Sequence, residues 1–319
     1  SKTYAVTAAL PTINVANVWI EGAGAEIHDV GTLVTGTVIK WTGSTAAGTS
    51  VVTIQPDTGA SAQRLANITF KGIGIDCNSG AVGYGLTIKS VQDSEFNVAV
   101  ANASNRGVEI NVVATLGEAR DVQRNLITLN LRQIEAPAGL GVVCNGDATA
   151  NTSMNHFWID GQHKNSPLVY CVNSDNNDFH WIRAFRAVGG TATEGVSLLG
   201  GATSAVTARA ERIHFYSGTV GVHVYGTGTY AAASVNSSIY RLDTENATPN
   251  PTIDTGSSLH WAKDISELTN NAWIDYTPTI AATSGTITTK TGEGRYLRRG
   301  NIIFLRLQIT ITTNGTGAG

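Results

Sequence analysis

The sequence predicts an all-β protein: a right-handed parallel β-helix followed by a small antiparallel β-sandwich domain. Three observations favour this fold class. A strand-like phrase returns with a period of about 28 residues, in the range typical of stacked repeats. No amphipathic helix longer than about two turns is indicated by the 3.6-residue period. Finally, Gly, Thr, Asn, Ser and Val dominate the composition, as expected of strands and turns.

The recurring phrase starts with a polar residue, often Asn, and continues with β-branched and aromatic residues. Its copies are Asn67–Phe70, Glu95–Val98, Asn125–Leu129, Asn155–Ile159, Asp178–Ile182, Glu211–Phe215 and Ser238–Leu242. One copy is too short to bury its own apolar side chains, so we expect the copies to stack on a shared core. An ordinary β-sandwich is the alternative, but its turn signals normally come roughly every 8–12 residues, without this longer recurrence.

Composition and charge exclude several functional classes. Net charge is −3 and no basic run occurs, which argues against nucleic-acid binding through phosphate neutralisation. No apolar run approaches the roughly 20 residues of a membrane helix, so we expect no membrane insertion. The histidines and the three cysteines lack metal-ligand spacing, so we expect no metal or other cofactor. The cysteines are expected to be small buried hydrophobes.

The pattern divides the chain into three parts. Strand patterns begin near the N-terminus and continue to about residue 255, which gives a β-helix over residues 1–255. Two prolines in Asn246–Thr252 disfavour a central strand and end the regular period. Residues 256–272 are predicted to be a connector. From Trp273 the strand pattern changes, so residues 273–319 are predicted to form a separate β domain.

The early repeats carry a family resemblance. The segment Leu65–Asp76, with the sequence LANITFKGIGID, resembles the opening rungs of the pectate-lyase-like β-helix superfamily. Tyr84–Ile88 and Arg106–Ile110 resemble the strands that follow. This resemblance is informative about the fold and says little about the reaction.

The C-terminal segment carries a second, more specific resemblance. Its WIDYTPT opening, its GRYLRRG hairpin and its final ITTNGTG are similar to the C-terminal β-sandwich of bacteriophage tail spikes and tail fibres. The resemblance implies a homotrimer in the virion tail that contacts other tail or baseplate proteins. It also implies binding of capsule or lipopolysaccharide at the bacterial surface. The strand pattern stops at Gly319 in what looks like mid-domain, so we expect a fragment of a longer protein.

Alignment of the later repeats predicts a surface strip. The inward positions are predicted to be Ile159, Ile182, Phe215 and Leu242. Because strand side chains alternate between faces, their neighbours form two outward stacks. One stack is Asp160, Arg183, Tyr216 and Asp243, and the other is Trp158, Trp181, His214 and Arg241. Exposed indoles stack on sugar rings, and arginine can clamp a carboxylate such as that of a uronic acid. Burial of the strip under a loop or another subunit is the competing interpretation.

Candidate catalytic groups are carboxylates of this strip and of nearby residues. Asp243 and Glu245 are two residues apart on one strand face, about 6.6 Å, which suits an inverting hydrolase. Asp93 with Glu95, and Asp175 with Asp178, are weaker pairs. Asp160 beside Arg183 is the candidate base of a lyase. Whether the chain is a polysaccharide depolymerase stays open, and a glycan-binding or purely structural fibre segment is the alternative.

Overall fold

The computed structural model describes residues 2–27, 33–58, 63–78, 81–113, 121–134, 140–145, 152–172, 174–175, 177–186, 190–191, 194–199, 208–210, 213–216, 220–225, 236–245, 252–253, 258–263, 274–281, 285–299 and 302–313. Across these residues the chain forms β-strands and no helix. Accordingly, the described part contains no helix with the length and hydrophobicity of a membrane span.

The strands have the following bounds in chain order. The first fifteen are β1 Lys2–Val6, β2 Trp19–Glu21, β3 Ala25–Ile27, β4 Leu33–Trp41, β5 Ala46–Ile54, β6 Leu65–Ala66, β7 Thr69–Asp76, β8 Val82–Lys89, β9 Val91–Gln92, β10 Glu95–Ala101, β11 Arg106–Asn111, β12 Val122–Gln123, β13 Leu126–Ile134, β14 Leu140–Asn145 and β15 Thr152–Ser153. The remainder are β16 His156–His163, β17 Val169–Val172, β18 Ser174–Asp175, β19 Asn177–Arg186, β20 Glu194–Leu199, β21 Ala208–Ala210, β22 Ile213–Tyr216, β23 Val220–Tyr225, β24 Asn236–Glu245, β25 Thr252–Ile253, β26 Ser258–Lys263, β27 Ile274–Tyr276, β28 Thr289–Arg299 and β29 Ile302–Thr313.

Three long sheets make up the larger part of the molecule. The largest has 13 strands and runs β1-β4-β7-β10-β13-β16-β19-β21-β24-β22, with β2, β3 and β26 at its margins. The second has eight strands from β25 to β5, and the third has five short strands from β18 to β6. Between β6 and β20 the chain passes through the five-stranded, 13-stranded and eight-stranded sheets in the same order on every repeat.

The described strand pairs in these three sheets are parallel, apart from the antiparallel pair β3–β4. The predicted all-β class with parallel pairing between repeats is therefore confirmed. A sandwich would have paired consecutive strands in antiparallel fashion, and the observed topology excludes it over these repeats.

A tight corner leads each repeat into the 13-stranded sheet. The residue two positions before the strand has positive φ in four consecutive repeats: Asn67, Asp93, Arg124 and Met154. The residue after this corner is buried, and in the later repeats it is asparagine. Asn125, Asn155 and Asn177 are fully buried and bond amide to amide at 2.9 and 3.0 Å. This stack explains why asparagine opens the two copies of the recurring phrase that begin at Asn125 and Asn155.

The core lies between the three sheets and is built from stacked equivalent residues. Phe70, Phe96, Phe157 and Phe179 occupy one position in β7, β10, β16 and β19 of the 13-stranded sheet and are at most 2% exposed, and Ile127 of β13 fills the same position between Phe96 and Phe157. A second row consists of Ile159, Ile182, Ile213 and Leu242, all buried. All three cysteines are buried and free, as predicted.

One member of the predicted inward stack is wrong. Ile182 pairs with Ile213, and Ile213 pairs with Leu242, so Phe215 lies two residues beyond the expected position. A shift of two residues keeps every side chain on the same face of a strand. Hydrophobic alternation therefore could not distinguish the two registers.

The chain forms two compact units, Ser1–Lys263 and Asp264–Gly319. In the second unit β27, β28 and β29 form a small antiparallel sheet, in agreement with the predicted change of pattern. The predicted connector over residues 256–272 falls mostly outside the described residues.

Candidate functional site

Two rows of side chains run across neighbouring strands on the outer face of the 13-stranded sheet. The tryptophan row consists of residues in register, one from each of β10, β13, β16 and β19: Asn97, Thr128, Trp158 and Trp181. The aspartate row lies two residues further along the same strands: Ala99, Asn130, Asp160 and Arg183. Adjacent members are separated by the strand spacing of about 4.8 Å.

Both tryptophans of the first row are exposed to solvent. Trp158 is 36% and Trp181 is 38% exposed, whereas their chain neighbours Ile159 and Ile182 are buried. Burial of the flanking isoleucines fixes the direction of the indoles, because side chains alternate along a strand. The predicted orientation of Trp158 and Trp181 is thus observed.

A bulge in β19 places a third ring against the indole of Trp158. Phe157 pairs with Phe179 and Trp158 pairs with Trp181, so His180 is an extra residue without a counterpart in β16. The imidazole of His180 stacks on the indole of Trp158, with ring centroids 4.4 Å apart and planes 16° apart. Trp158 is therefore held against a flat neighbour.

His180 is itself fixed by a polar contact. His156 Nδ1 and His180 Nε2 are 3.0 Å apart, a distance at which one ring donates an N–H to the other. His156 Nδ1 also lies 3.8 Å from Asp178 Oδ2. These contacts extend the aromatic surface beyond Trp158. They also limit rotation of the His180 ring.

Asp160 is held by two arginines. Arg183 donates from Nε to Asp160 Oδ1 at 3.0 Å and from Nη2 to Oδ2, which makes a bidentate pair between adjacent strands. Arg132 Nη2 lies 3.5 Å from Asp160 Oδ2, and its side chain is buried against the ring of Phe185. The predicted neighbourhood of Asp160 and Arg183 is observed as a direct ion pair.

The residues of the two rows, except Arg183, line a groove of about 400 Å³. Its lining includes Trp158, Trp181 and Asp160, together with Asn97, Thr128 and Asn130. Aromatic faces lie toward one end of the groove, and its floor carries amide and hydroxyl groups. This combination of a few polar groups with apolar surface is typical of ligand sites.

The opposite wall of the groove comes from the segment around β3. Gly24 and Ala25 line the groove there, and Ile27 packs on Ala99 and Ala101 of β10. The small alanines let this segment approach the sheet closely. Gly24 donates its backbone N–H to the carbonyl of Gly72 at 3.0 Å, so the glycines that interrupt these strands fix the wall to the sheet.

The register of β22 changes the membership of the predicted strip. His214 pairs with Arg183 and with Asp243, so it belongs to the aspartate row, where Tyr216 was expected. Tyr216 pairs with Phe185 and with Glu245, two residues further along the strands. The sequence alignment was wrong here by the same two residues that displaced Phe215. Arg241 lies within β24, but the residue opposite it in the preceding repeat falls outside the described residues.

The hydrolase candidates lie on β24. Asp243 continues the aspartate row by register, three strands from Asp160, and Glu245 follows two residues later. The side chains of His214, Tyr216, Arg241, Asp243 and Glu245 fall outside the described residues, so their roles remain predictions.

In the carboxylate pair of Asp93 and Glu95, Asp93 is already bound by an arginine. Arg124 donates to both carboxylate oxygens of Asp93, at 2.7 and 2.9 Å. This hydrogen bonding lowers the pKa of Asp93, which opposes a role as a general acid. Asp93 and Arg124 are the corner residues with positive φ described above.

Sequence reasoning missed four residues of the site: Asn97, Thr128, Asn130 and His180. The first three could have been predicted from the sequence. Extending the repeat alignment back to Glu95–Val98 and Asn125–Leu129 places them in the same rows as Trp158 and Asp160. The position of His180 could not have been predicted, because a bulge breaks the alternation of side chains on which the alignment depends.

Among the described residues, no group of three or more His, Cys, Asp or Glu side chains is arranged to hold a metal ion. The fold and the groove together define an all-β protein of stacked parallel sheets with a solvent-exposed aromatic and polar groove. No protein-family model and no curated protein matches the chain. The chain is similar in fold to the solved structure of ORF18 of Geobacillus virus E2, with a TM-score of 0.50 and 15% sequence identity. That similarity covers 99% of this chain and 66% of ORF18, so the chain spans just under two thirds of the viral protein.

Proposed function

We propose that the chain is part of a bacteriophage tail spike or tail fibre and that its groove binds polysaccharide of the host cell surface. The observation that carries the proposal is the groove with two exposed indoles above a row of amide, hydroxyl and carboxylate groups. Sugar rings present apolar C–H faces and hydroxyl edges, which match an aromatic platform beside planar polar groups.

The fold supports the viral part of the proposal. We propose that the chain winds as a right-handed β-helix. The three parallel sheets are its faces, and every repeat between β6 and β20 contributes one strand to each. A rigid stack of this kind can hold a row of side chains at the regular strand spacing. The likeness in fold to ORF18 of Geobacillus virus E2 agrees with a place in a virion.

Binding without cleavage is the form of the proposal that the described residues favour. Asp160, the carboxylate in the groove, is bound by Arg183 through both of its oxygens. Depolymerisation would need Asp243 and Glu245, or Asp160 as the base of an elimination. Depolymerisation is therefore a separate hypothesis, and the test below measures it independently of binding.

We further propose that the protein is a homotrimer joined in part through β29. Leu305, Leu307, Ile309 and Ile311 alternate along this strand and are between 42% and 60% exposed. An apolar row on a sheet of three strands is stabilised when another chain covers it. Leu307→Glu should dissociate the assembly in light scattering, whereas Gln308→Glu, on the other face, should leave it intact. A monomer at micromolar concentration before any substitution contradicts the trimer.

The polysaccharide test uses the purified protein and its Trp181→Ala variant. Both are incubated with capsule and lipopolysaccharide preparations from candidate hosts, and affinity is measured together with reducing ends and unsaturated uronate. Binding that depends on Trp181 supports the groove as the receptor site. New reducing ends identify hydrolysis, and unsaturated uronate identifies a lyase. No binding and no product would leave only a structural fibre segment.

A further inference from the structure

We infer that the groove continues into a second sugar subsite built on Trp19, so that the ligand is a polysaccharide segment of several sugar units lying across the strands. The inference rests on the proposed polysaccharide-binding function and names the length and course of the ligand. Three observations carry it: the register that continues the tryptophan row to β2, the exposure of Trp19, and the contacts that hold its ring.

The tryptophan row continues beyond Asn97 toward the N-terminal strands of the sheet. Asn97 pairs with Lys71 of β7, and Lys71 pairs with Glu21 of β2. The lining of the groove extends to Gly72, the residue that follows Lys71. Asn97 and Thr128, which lie between Lys71 and the two indoles, are both exposed. The row therefore leads from the indoles, along the groove, to β2.

Trp19 presents an exposed indole at this end of the row. It pairs with Thr69, two residues before Lys71, and it is 67% exposed. Ile20, the next residue, packs against the core, so the indole lies on the outer face together with Lys71. Exposed apolar surface beside a groove is typical of an interaction site. Trp19 can therefore serve as a second stacking platform for the ligand of the groove.

The ring of Trp19 is held in place by a charged pair. Its Nε1 donates to Glu21 Oε2 at 3.0 Å, and Lys71 Nζ lies over the ring, 4.8 Å from its centroid. Lys71 Nζ is also 3.8 Å from Glu21 Oε1, so the two charges balance each other and the indole is the recognition element. A ring that is already oriented loses less freedom when a sugar stacks on it.

The distance between the platforms sets the length of the ligand. From β2 to β16 there are four strand steps, through β7, β10 and β13, or about 19 Å at the usual strand spacing. A sugar unit is comparable in length to one such step, so a ligand that stacks on both Trp19 and Trp158 has roughly four to six units. A shorter fragment can reach one platform but not both.

The test compares ligand fragments of different length. A surface polysaccharide that binds in a Trp181-dependent manner is partially hydrolysed, and its size-fractionated fragments are titrated against the wild type, Trp19→Ala and Trp181→Ala. We expect Trp19→Ala to lower affinity about twofold to tenfold for fragments long enough to span both platforms, and to leave shorter fragments unaffected. Trp181→Ala should lower affinity for both classes. An equal loss for short and long fragments in Trp19→Ala overturns the inference.

Tyr4→Ala is the matched control, because Tyr4 is a 52% exposed aromatic residue of β1 outside both rows, and its replacement should leave every affinity unchanged. Wild-type affinity of Trp19→Ala for the long fragments overturns the second subsite, while the Trp181 dependence keeps the proposed function intact. Dissociation of the assembly by Trp19→Ala in light scattering would place Trp19 in a subunit contact and likewise overturns the subsite. Absence of any Trp181-dependent polysaccharide overturns the proposed function and the inference together.

Discussion

The indole of Trp158 and the imidazole of His180 lie face to face, with centroids 4.4 Å apart, although they belong to different strands and do not pair in register. The bulge in β19 makes this contact possible, since His180 has no counterpart in β16. The contact orients the indole that lines the groove. It also joins the groove to the His156–His180 pair beside it.

Removal of the His180 ring should weaken glycan binding through Trp158. In His180→Ala the indole loses its stacked neighbour, and aromatic pairs contribute roughly 0.5–1.5 kcal/mol beyond area burial. We therefore expect affinity to fall between about twofold and tenfold by titration calorimetry. His180→Phe is the matched variant, because it keeps a flat ring and should bind more tightly than the alanine variant. Equal affinities of the two variants would show that stacking on Trp158 does not matter.

Replacement of Trp181 separates binding from stability. Trp181→Ala should reduce glycan affinity several-fold to tenfold or more, since one stacking platform contributes on the order of 1 kcal/mol. Its free energy of unfolding should change little, because the side chain is 38% exposed. Ile182→Ala is the control: Ile182 is 1% exposed, and the cavity should cost roughly 2–5 kcal/mol in denaturant unfolding. Equal destabilisation by both changes, with affinity intact, would place Trp181 in a buried interface.

Carboxylate substitutions distinguish the three catalytic outcomes. If the chain hydrolyses its ligand, Asp243→Asn and Glu245→Gln should each abolish new reducing ends while binding persists. If the chain instead cleaves its ligand by elimination, Asp160→Asn should abolish the formation of unsaturated uronate. Asp93→Asn serves as a control, because Arg124 occupies that carboxylate. Full activity in all three candidate variants would place the catalytic residues elsewhere.

Asn155 should be among the most sensitive polar residues of the fold. Its Nδ2 donates to the carbonyl of Val122 and to Asn177 Oδ1, and its Oδ1 accepts from the side chain of Asn125. Asn155→Ala leaves several buried groups without a partner, at roughly 1–3 kcal/mol for each. We expect a loss of about 2–5 kcal/mol in denaturant unfolding. Asn97→Ala, on the outer face, should lower the free energy of unfolding far less. A similar decrease in both variants would contradict the role of the buried stack.

The cysteines should be unreactive in the native protein. Burial raises the pKa of Cys77, and a hydrogen bond with Cys171 together with burial raises the pKa of Cys144, so both stay protonated thiols at neutral pH. A thiol reagent should label none of the three in native buffer and all three in denaturant. Rapid native labelling of any one would show that its repeat opens.

The sequence alone determined the all-β class, the parallel stacking of repeats and the direction of Trp158 and Trp181. Each follows from a short-range regularity: the recurrence of one phrase, and alternation about residues such as Ile159 and Ile182. The same regularity explains why Asp160 and Arg183 could be expected on neighbouring strands.

Tertiary structure alone decided which residues meet across the later repeats. Registers two residues apart bury the same face, so alternation could not choose between Ile213 and Phe215 opposite Ile182. The bulge at His180 and the wall that Gly24 and Ala25 place over the sheet depend on contacts distant in the chain. A groove is a property of surfaces brought together by folding. The sequence therefore predicted the tryptophans of the site but not its shape or its polar floor.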